Sequence, residues 1–441
     1  MKKFYMLTLA CTMCCVAICH AQTRFWVGPS NGNWNNMTNW SDGTNSPASV
    51  PNSSTSVAIF NQGTALVNVD IPTLTLQSLV VTSNTTAKLY TSANTVLNLL
   101  SQTTSDYALR IDAGCRLEDS VSADVPFSLY LNTGAKAVIN GTLYLGGHAS
   151  VSSPANGPSL RLPATTTPAY KVDVNGSLIV SNKGWLNFPT TTTNFLFFNA
   201  GSEYRIARDG LGSPRATWAA SSTIRITGTV ATAPLIDGPS ATTIGNLVFD
   251  CPGMSTDLGW ALKPNLNIAG NFQILNTNNK NLIIADNSST TAMTYTVGLD
   301  LQIGANAWVT LGNNNVGSNR DVTLQVDGNY NQSGGKFDLR GSNIVAATLP
   351  TSLKIRGNFI QSAGTFGCPS PATGTDLFVV ELNGTTNQLI DLSSNTIDNA
   401  ANQVTLKMNN TNGATLVKSL SVGKINWSTN KGIITGSTGI G

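Results

Sequence analysis

Charge is scarce in this chain. Only 11% of the residues are Asp, Glu, Lys or Arg, against roughly a quarter in an average soluble domain, so contact with water falls to Asn, Thr, Ser and Gly. The balance is close to neutral, 25 Lys and Arg against 22 Asp and Glu. That argues against nucleic acid as a partner, because phosphate binding needs a clustered excess of cations. Histidine is rarer still: His20 and His148 are the two present. A Ser, His and acid triad would have to use His148, which follows Gly146 and Gly147 with no partner motif beside it. Of the 7 cysteines, Cys11, Cys14, Cys15 and Cys19 crowd the start, leaving Cys115, Cys251 and Cys368 scattered. Neither a disulfide framework nor a zinc-ligand spacing follows, so no metal or cofactor is expected, and the three read as small buried residues. The glycine and aspartate nonapeptide that binds calcium in some β-helices is missing too. Gly210-Leu211-Gly212 lacks the third glycine and the helix of a phosphate loop. Helical periodicity is nearly absent throughout.

What is present begins with an export signal. Lys2 and Lys3 give a positive start, Phe4 to Ile18 an apolar stretch shorter than the roughly 20 residues of a membrane span, and Cys19-His20-Ala21 a small-residue cleavage site. Residues 1–22 are therefore read as a signal peptide, with no further transmembrane segment expected, and the product as secreted or displayed at the cell surface. Removing Lys2 and Lys3 lowers the net charge from +3 to about +1.

Residues 23–56 are dense in Trp and Gly: Trp26, Gly32-Asn33-Trp34, Asn39-Trp40-Ser41. From Val57 onward, apolar residues alternate with polar ones in short runs such as Val67-Asn68-Val69, Leu129-Tyr130-Leu131 and Ile224-Arg225-Ile226, the period of a half-buried strand. Asn140-Gly141-Thr142-Leu143 reappears as Asn175-Gly176-Ser177-Leu178, and Asn-Gly predicts positive-φ turns entering strands. Beyond residue 265 the pattern becomes periodic. Stretches starting at Leu266, Tyr295, Leu324 and Leu353 follow one another at 29 residues (295−266, 324−295, 353−324). Ile268, Val297, Val326 and Ile355 form one column, Phe272, Leu301, Tyr330 and Phe359 a second, and Asn271, Asp300, Asn329 and Asn358 a polar third.

Fixed-period self-similarity around a strand-like core marks rungs that bury their apolar faces only against neighbouring rungs. Sandwich domains run to roughly 100 residues apiece, too long for this repeat. The expected fold is all-β: a right-handed parallel β-helix or β-solenoid. Residues 23–56 form its cap, 57–265 irregular rungs, and 266–441 rungs of about 29 residues (295−266). Handedness is taken from the frequency of the fold. Parallel stacking sets each residue about 4.8 Å from its counterpart, so the Asn271 column is an expected amide ladder. Trp308, Phe337 and Phe366 are an expected inward aromatic stack, and Asp327 and Arg356 an expected cross-rung pair.

Three passages together resemble secreted bacterial β-solenoid surface proteins, adhesin-like, of the kind exported by type IX secretion bacteria. They are Gly32 to Ser41, the Gly-Asn-aromatic repeats at Gly328-Asn329-Tyr330 and Gly357-Asn358-Phe359, and Leu382 to Gln388 running on to Leu416, Leu420-Ser421-Val422 and Gly432-Ile433-Ile434. The resemblance covers most of the chain and implies surface exposure and binding, with no catalytic residue to carry over. The repeats would be expected to continue past Gly441, where no sorting or anchoring module is recognisable, so a C-terminal truncation is an expectation.

Two functions follow as expectations. The first is a non-catalytic scaffold or adhesin with a polar face for weak, multivalent contact with glycans or extracellular matrix. In it Trp26, Trp34 and Trp40 are alternatives as cap core or as a stacking platform for sugar rings. The second is a polysaccharide-degrading β-helix enzyme, a lyase or a glycoside hydrolase, which needs convergent carboxylates beside Arg or Lys. Its candidates are Arg320, Asp321, Asp327, Asp338, Arg340, Lys354 and Arg356, with Asp237, Asp250 and Asp257 a weaker set. Each charge has the plainer reading of a solvated pair holding rungs in register, which favours the non-catalytic scaffold.

Overall fold

The computed structural model describes residues 22–100, 106–121, 125–146, 157–162, 171–181, 183–188, 195–236, 243–260, 262–285, 292–312, 321–340, 350–369, 377–393, 397–399, 404–422, 424–427 and 433–436. Residues 1–21 of the expected signal peptide, and His148, Asp237 and Arg320, lie outside them. The described chain is all-β, with one 3-10 turn at Met37–Asn39.

Alternation creates the strands. Thr86–Thr91, Arg116–Val121 and Thr223–Ile226 each bury every second residue, as a pleated strand with one wet face must. Each coil crosses three faces in the same order. One coil runs through Thr86–Thr91, Thr95–Leu99 and Leu109–Ile111, and the next through Arg116–Val121, Phe127–Leu131 and Lys136–Ile139. Pairing is parallel between like strands of successive coils, which makes the molecule a β-solenoid. Ala87, Leu117, Leu143 and Leu178 therefore stack in one file, all fully buried.

The repeat register is the ladder register. Phe272 pairs with Leu301, Leu301 with Tyr330 and Tyr330 with Phe359. Ile268, Val297, Val326 and Ile355 pair in the same succession on another face. Beyond Phe359 the partner is Ile390, and the spacing changes.

The polar column is a ladder of a different kind from the one expected. Asn271 Oδ1 accepts the backbone N–H of Asp300 (3.1 Å), Asp300 Oδ1 that of Asn329 (2.7 Å), Asn329 Oδ1 that of Asn358 (2.8 Å), and Asn358 Oδ1 that of Leu389 (2.9 Å). Side-chain oxygens thus satisfy main-chain donors at the corner. Amide-to-amide bonding occurs elsewhere: Asn199 Nδ2 donates to Asn175 and Asn175 Nδ2 to Asn140, both at 2.7 Å.

Two further expectations are corrected. Gly141 and Gly176 are not among the positive-φ residues. Glycine is needed there because a Cβ on Gly176 would stand 2.1 Å from the Gly141 carbonyl oxygen, and one on Gly141 2.2 Å from that of Cys115. Close rung contact, rather than left-handed backbone, fixes the residue type. Trp308 is not in the aromatic column either. The turn after Ile303 is one residue longer than its successor, so Val309 aligns with Phe337 and Trp308 with Lys336. Phe337 and Phe366 do stack, at 5.4 Å and 7°, with Tyr330 and Phe359 set edge-on against them.

At the N-terminal end, Gln22–Trp26 lies parallel on Ser53–Phe60 and antiparallel to Trp40–Ser41. Trp34 and Trp40 meet at 4.7 Å and Trp26 and Trp40 at 5.1 Å, with Phe60 at 6.0 Å from each ring. Trp34 Nε1 donates to Pro51 O, and Trp40 Nε1 to Trp34 O. The aromatic cluster fills the end of the prism that stacking would otherwise leave open.

Candidate binding face

The tryptophans proposed as a sugar platform present no free ring face. Trp34 and Trp40 are 0% exposed and Trp26 5%, so their area is committed to the cap.

The charged residues proposed for catalysis are spread over different parts of the coil. Asp321 and Asp327 flank the two ends of Val322–Val326, while Asp338 and Arg340 lie on Tyr330–Arg340, past its bend. Arg356 Nη1 reaches Asp327 Oδ1 at 3.0 Å across one rung step, as expected. Both partners are substantially exposed, so Arg356→Ala is expected to cost about 0–1 kcal/mol in denaturant unfolding, and less at high salt. Asp338 is buried, and its Oδ2 accepts from Lys336 Nζ at 2.9 Å and from Trp308 Nε1 at 3.0 Å. Lys336 Nζ also sits 4.6 Å from the centre of the Trp308 ring. Arg340 is buried, and Asp321 is half-buried with one oxygen lacking a partner among the described residues. Lys354 faces Glu381 at 3.7 Å, and Lys407 approaches the same carboxylate at 3.4 Å from the next rung. Asp257 accepts the Asn281 N–H, a structural use. Asp250 lies at the end of Asn246–Asp250.

Glu203 shows the same habit, held by Arg205 at 2.6 Å and Arg225 at 2.9 Å. Among the described residues, no three His, Cys, Asp or Glu side chains group closely enough to hold a metal ion. Among the described residues Cys115, Cys251 and Cys368 are buried and in no disulfide, and burial pushes Cys251 up to about 11, far from the thiolate that reactivity requires.

A concave site does exist, on residues that sequence reasoning passed over. Where 301–312, 330–340 and 359–368 bend from one face to the next, a cleft of about 210 Å³ opens along the rod axis. Gln302, Asn331 and Ile360 line one wall and Gly304, Ser333 and Ser362 the other, each set drawn from consecutive rungs. The first wall was legible as the column directly after Leu301, Tyr330 and Phe359. Its members differ in type, which hid it.

The rungs, cap and lateral pairs define an all-β parallel solenoid. Comparison with protein-family models, with curated proteins and with solved structures finds no match to this chain. Among the described residues no helix is long and apolar enough to cross a membrane.

Proposed function

We propose that this chain is an exported, non-catalytic scaffold of the cell surface, adhesive through weak and repeated contacts with glycans or matrix. The observation that carries this reading is the use made of charge. Asp327, Asp338, Glu381 and Glu203 are each engaged by a cation on their own or a neighbouring rung. Carboxylates held this way serve register, and a general acid and base pair needs two that face a common substrate. Asn, Gln, Thr and Ser then form most of the outward repeats, and a rod that repeats them offers many equivalent contacts, which is the geometry of avidity.

Incubating the full chain with neutral and acidic polysaccharides, scoring both retention and chain cleavage, tests the proposal. Retention without cleavage is the expected result. Cleavage abolished by Asp327→Ala or Asp338→Ala would replace the scaffold with the polysaccharide-degrading enzyme.

A further inference from the structure

Resting on the scaffold reading, we infer that the cleft at the bend of 301–312, 330–340 and 359–368 is the glycan contact, and that it takes neutral sugar chains. Its hydrogen-bonding capacity is only partly used within the protein. Gln302 Oε1 accepts from Gln273 Nε2 at 2.6 Å, which leaves the Gln302 Nε2 donors without a partner among the described residues. Asn331 Nδ2 donates to Asp300 Oδ2 at 3.2 Å, leaving its Oδ1 as an open acceptor. The Ser333 and Ser362 hydroxyls donate inward, to Ile303 O at 3.3 Å and Gln332 O at 3.4 Å, and keep lone pairs to accept a ligand hydroxyl. An open donor and an open acceptor thus stand on the wall that also carries the Ile360 side chain, against which the C–H face of a pyranose can pack, and the serine hydroxyls face them from the other.

Four features select the ligand. No residue lining the cleft is ionisable, so a charged ligand would lose hydration with nothing to offset it. A peptide strand has no free edge to join: the strands forming the cleft are paired in parallel on both sides, whereas strand addition needs an open row of N–H and C=O groups. The cleft is also smaller than the roughly 300–1,000 Å³ of a drug-sized site, so one or two rings fit. Rungs repeat at about 4.8 Å, the scale of one pyranose ring, so a chain lying along the axis meets one set of lining groups per ring.

The test measures retention of the full chain on immobilised linear neutral glucans and mannans and on an acidic polysaccharide, beside Ser333→Phe and Asn331→Ala. Ser333 is exposed, so the phenylalanine fills the cleft without entering the core; circular dichroism and an unchanged unfolding midpoint verify folding. Arg356→Ala, outside the cleft, is the control. The inference expects retention on neutral chains, at least tenfold weaker in Ser333→Phe, weaker in Asn331→Ala and unchanged in the control. Neutral-chain retention indifferent to both cleft variants would overturn this site while leaving the scaffold reading intact. So would retention confined to the acidic polysaccharide. Absence of retention on every polysaccharide would overturn both.

Discussion

Trp34→Ala is expected to cost about 3–5 kcal/mol, the range for emptying a large buried aromatic site. Its ring is 0% exposed and packs on Trp40 at 4.7 Å and Phe60 at 6.0 Å. Truncation also leaves the Pro51 carbonyl without its Nε1 donor, a further penalty for a buried acceptor. The loss should be local before it is global. Rungs of a solenoid are stabilised by their neighbours, so amides of Ser53–Phe60 and Thr64–Asn68 should exchange faster while those of Thr351–Ile355 keep their protection. Trp26→Phe is the contrast. Trp26 Nε1 is buried without a hydrogen-bond partner among the described residues, so losing it relieves an unsatisfied donor and keeps most of the ring; a change under about 1 kcal/mol is expected. Guanidinium unfolding and hydrogen exchange measure both. A Trp34→Ala loss no larger than that of Arg356→Ala would mean that the first rung closes without the aromatic cluster.

The fold was legible where loop length is constant. Between Leu266 and Phe359 the coils keep one overall length, so ladder partners such as Val297 and Val326 line up in the sequence itself. Earlier, the partners Thr64, Thr86, Arg116, Thr142, Ser177, Glu203 and Thr223 stand at uneven intervals. The strands stack as well there, but loops of different length hide the period. Trp308 shows how little suffices: one additional residue in a turn moved it from the core column to a place opposite Lys336. Gly176 shows a second limit. Its residue type is legible, but the reason is a carbonyl of the adjacent rung, which only the stacked structure contains. The cleft was hidden for a related cause: Gln332-Ser333 and Gln361-Ser362 repeat in the sequence, but only the bend shared by three rungs makes them concave.

Asp119 is where local pattern and energetics conflict most, and its replacement should stabilise the protein. The residue occupies an inward position of Arg116–Val121, 0% exposed, between Leu89 and Leu145 on the adjacent rungs. Among the described residues neither carboxyl oxygen completes a well-formed hydrogen bond, the Ser159 backbone N–H approaching without meeting the geometry of one. Burial drives its pKa well above the ordinary 3.8, and the Ser159 backbone amide only partly opposes this. The unfolded chain releases the proton near pH 3.8 while the folded chain retains it. Above that pH the native state binds more protons, and stability falls as pH rises, by at most about 1.4 kcal/mol per pH unit. Below it the ionisation penalty vanishes and only the unpaired polar group remains, worth about 1–3 kcal/mol. Asp119→Asn should therefore match the parent at pH 3 and become progressively more stable than it towards pH 8. Asp119→Val, which also removes the unpaired polar group, should gain at both. Subtracting parent from variant at each pH cancels the titration of distant carboxylates such as Asp112, whose hydrogen bond from Arg110 holds it low and whose stabilisation fades in acid instead. A variant-minus-parent difference that stays flat from pH 3 to 8 would show that Asp119 is solvated or paired in solution, and that the interior of this coil is wetter than its packing implies.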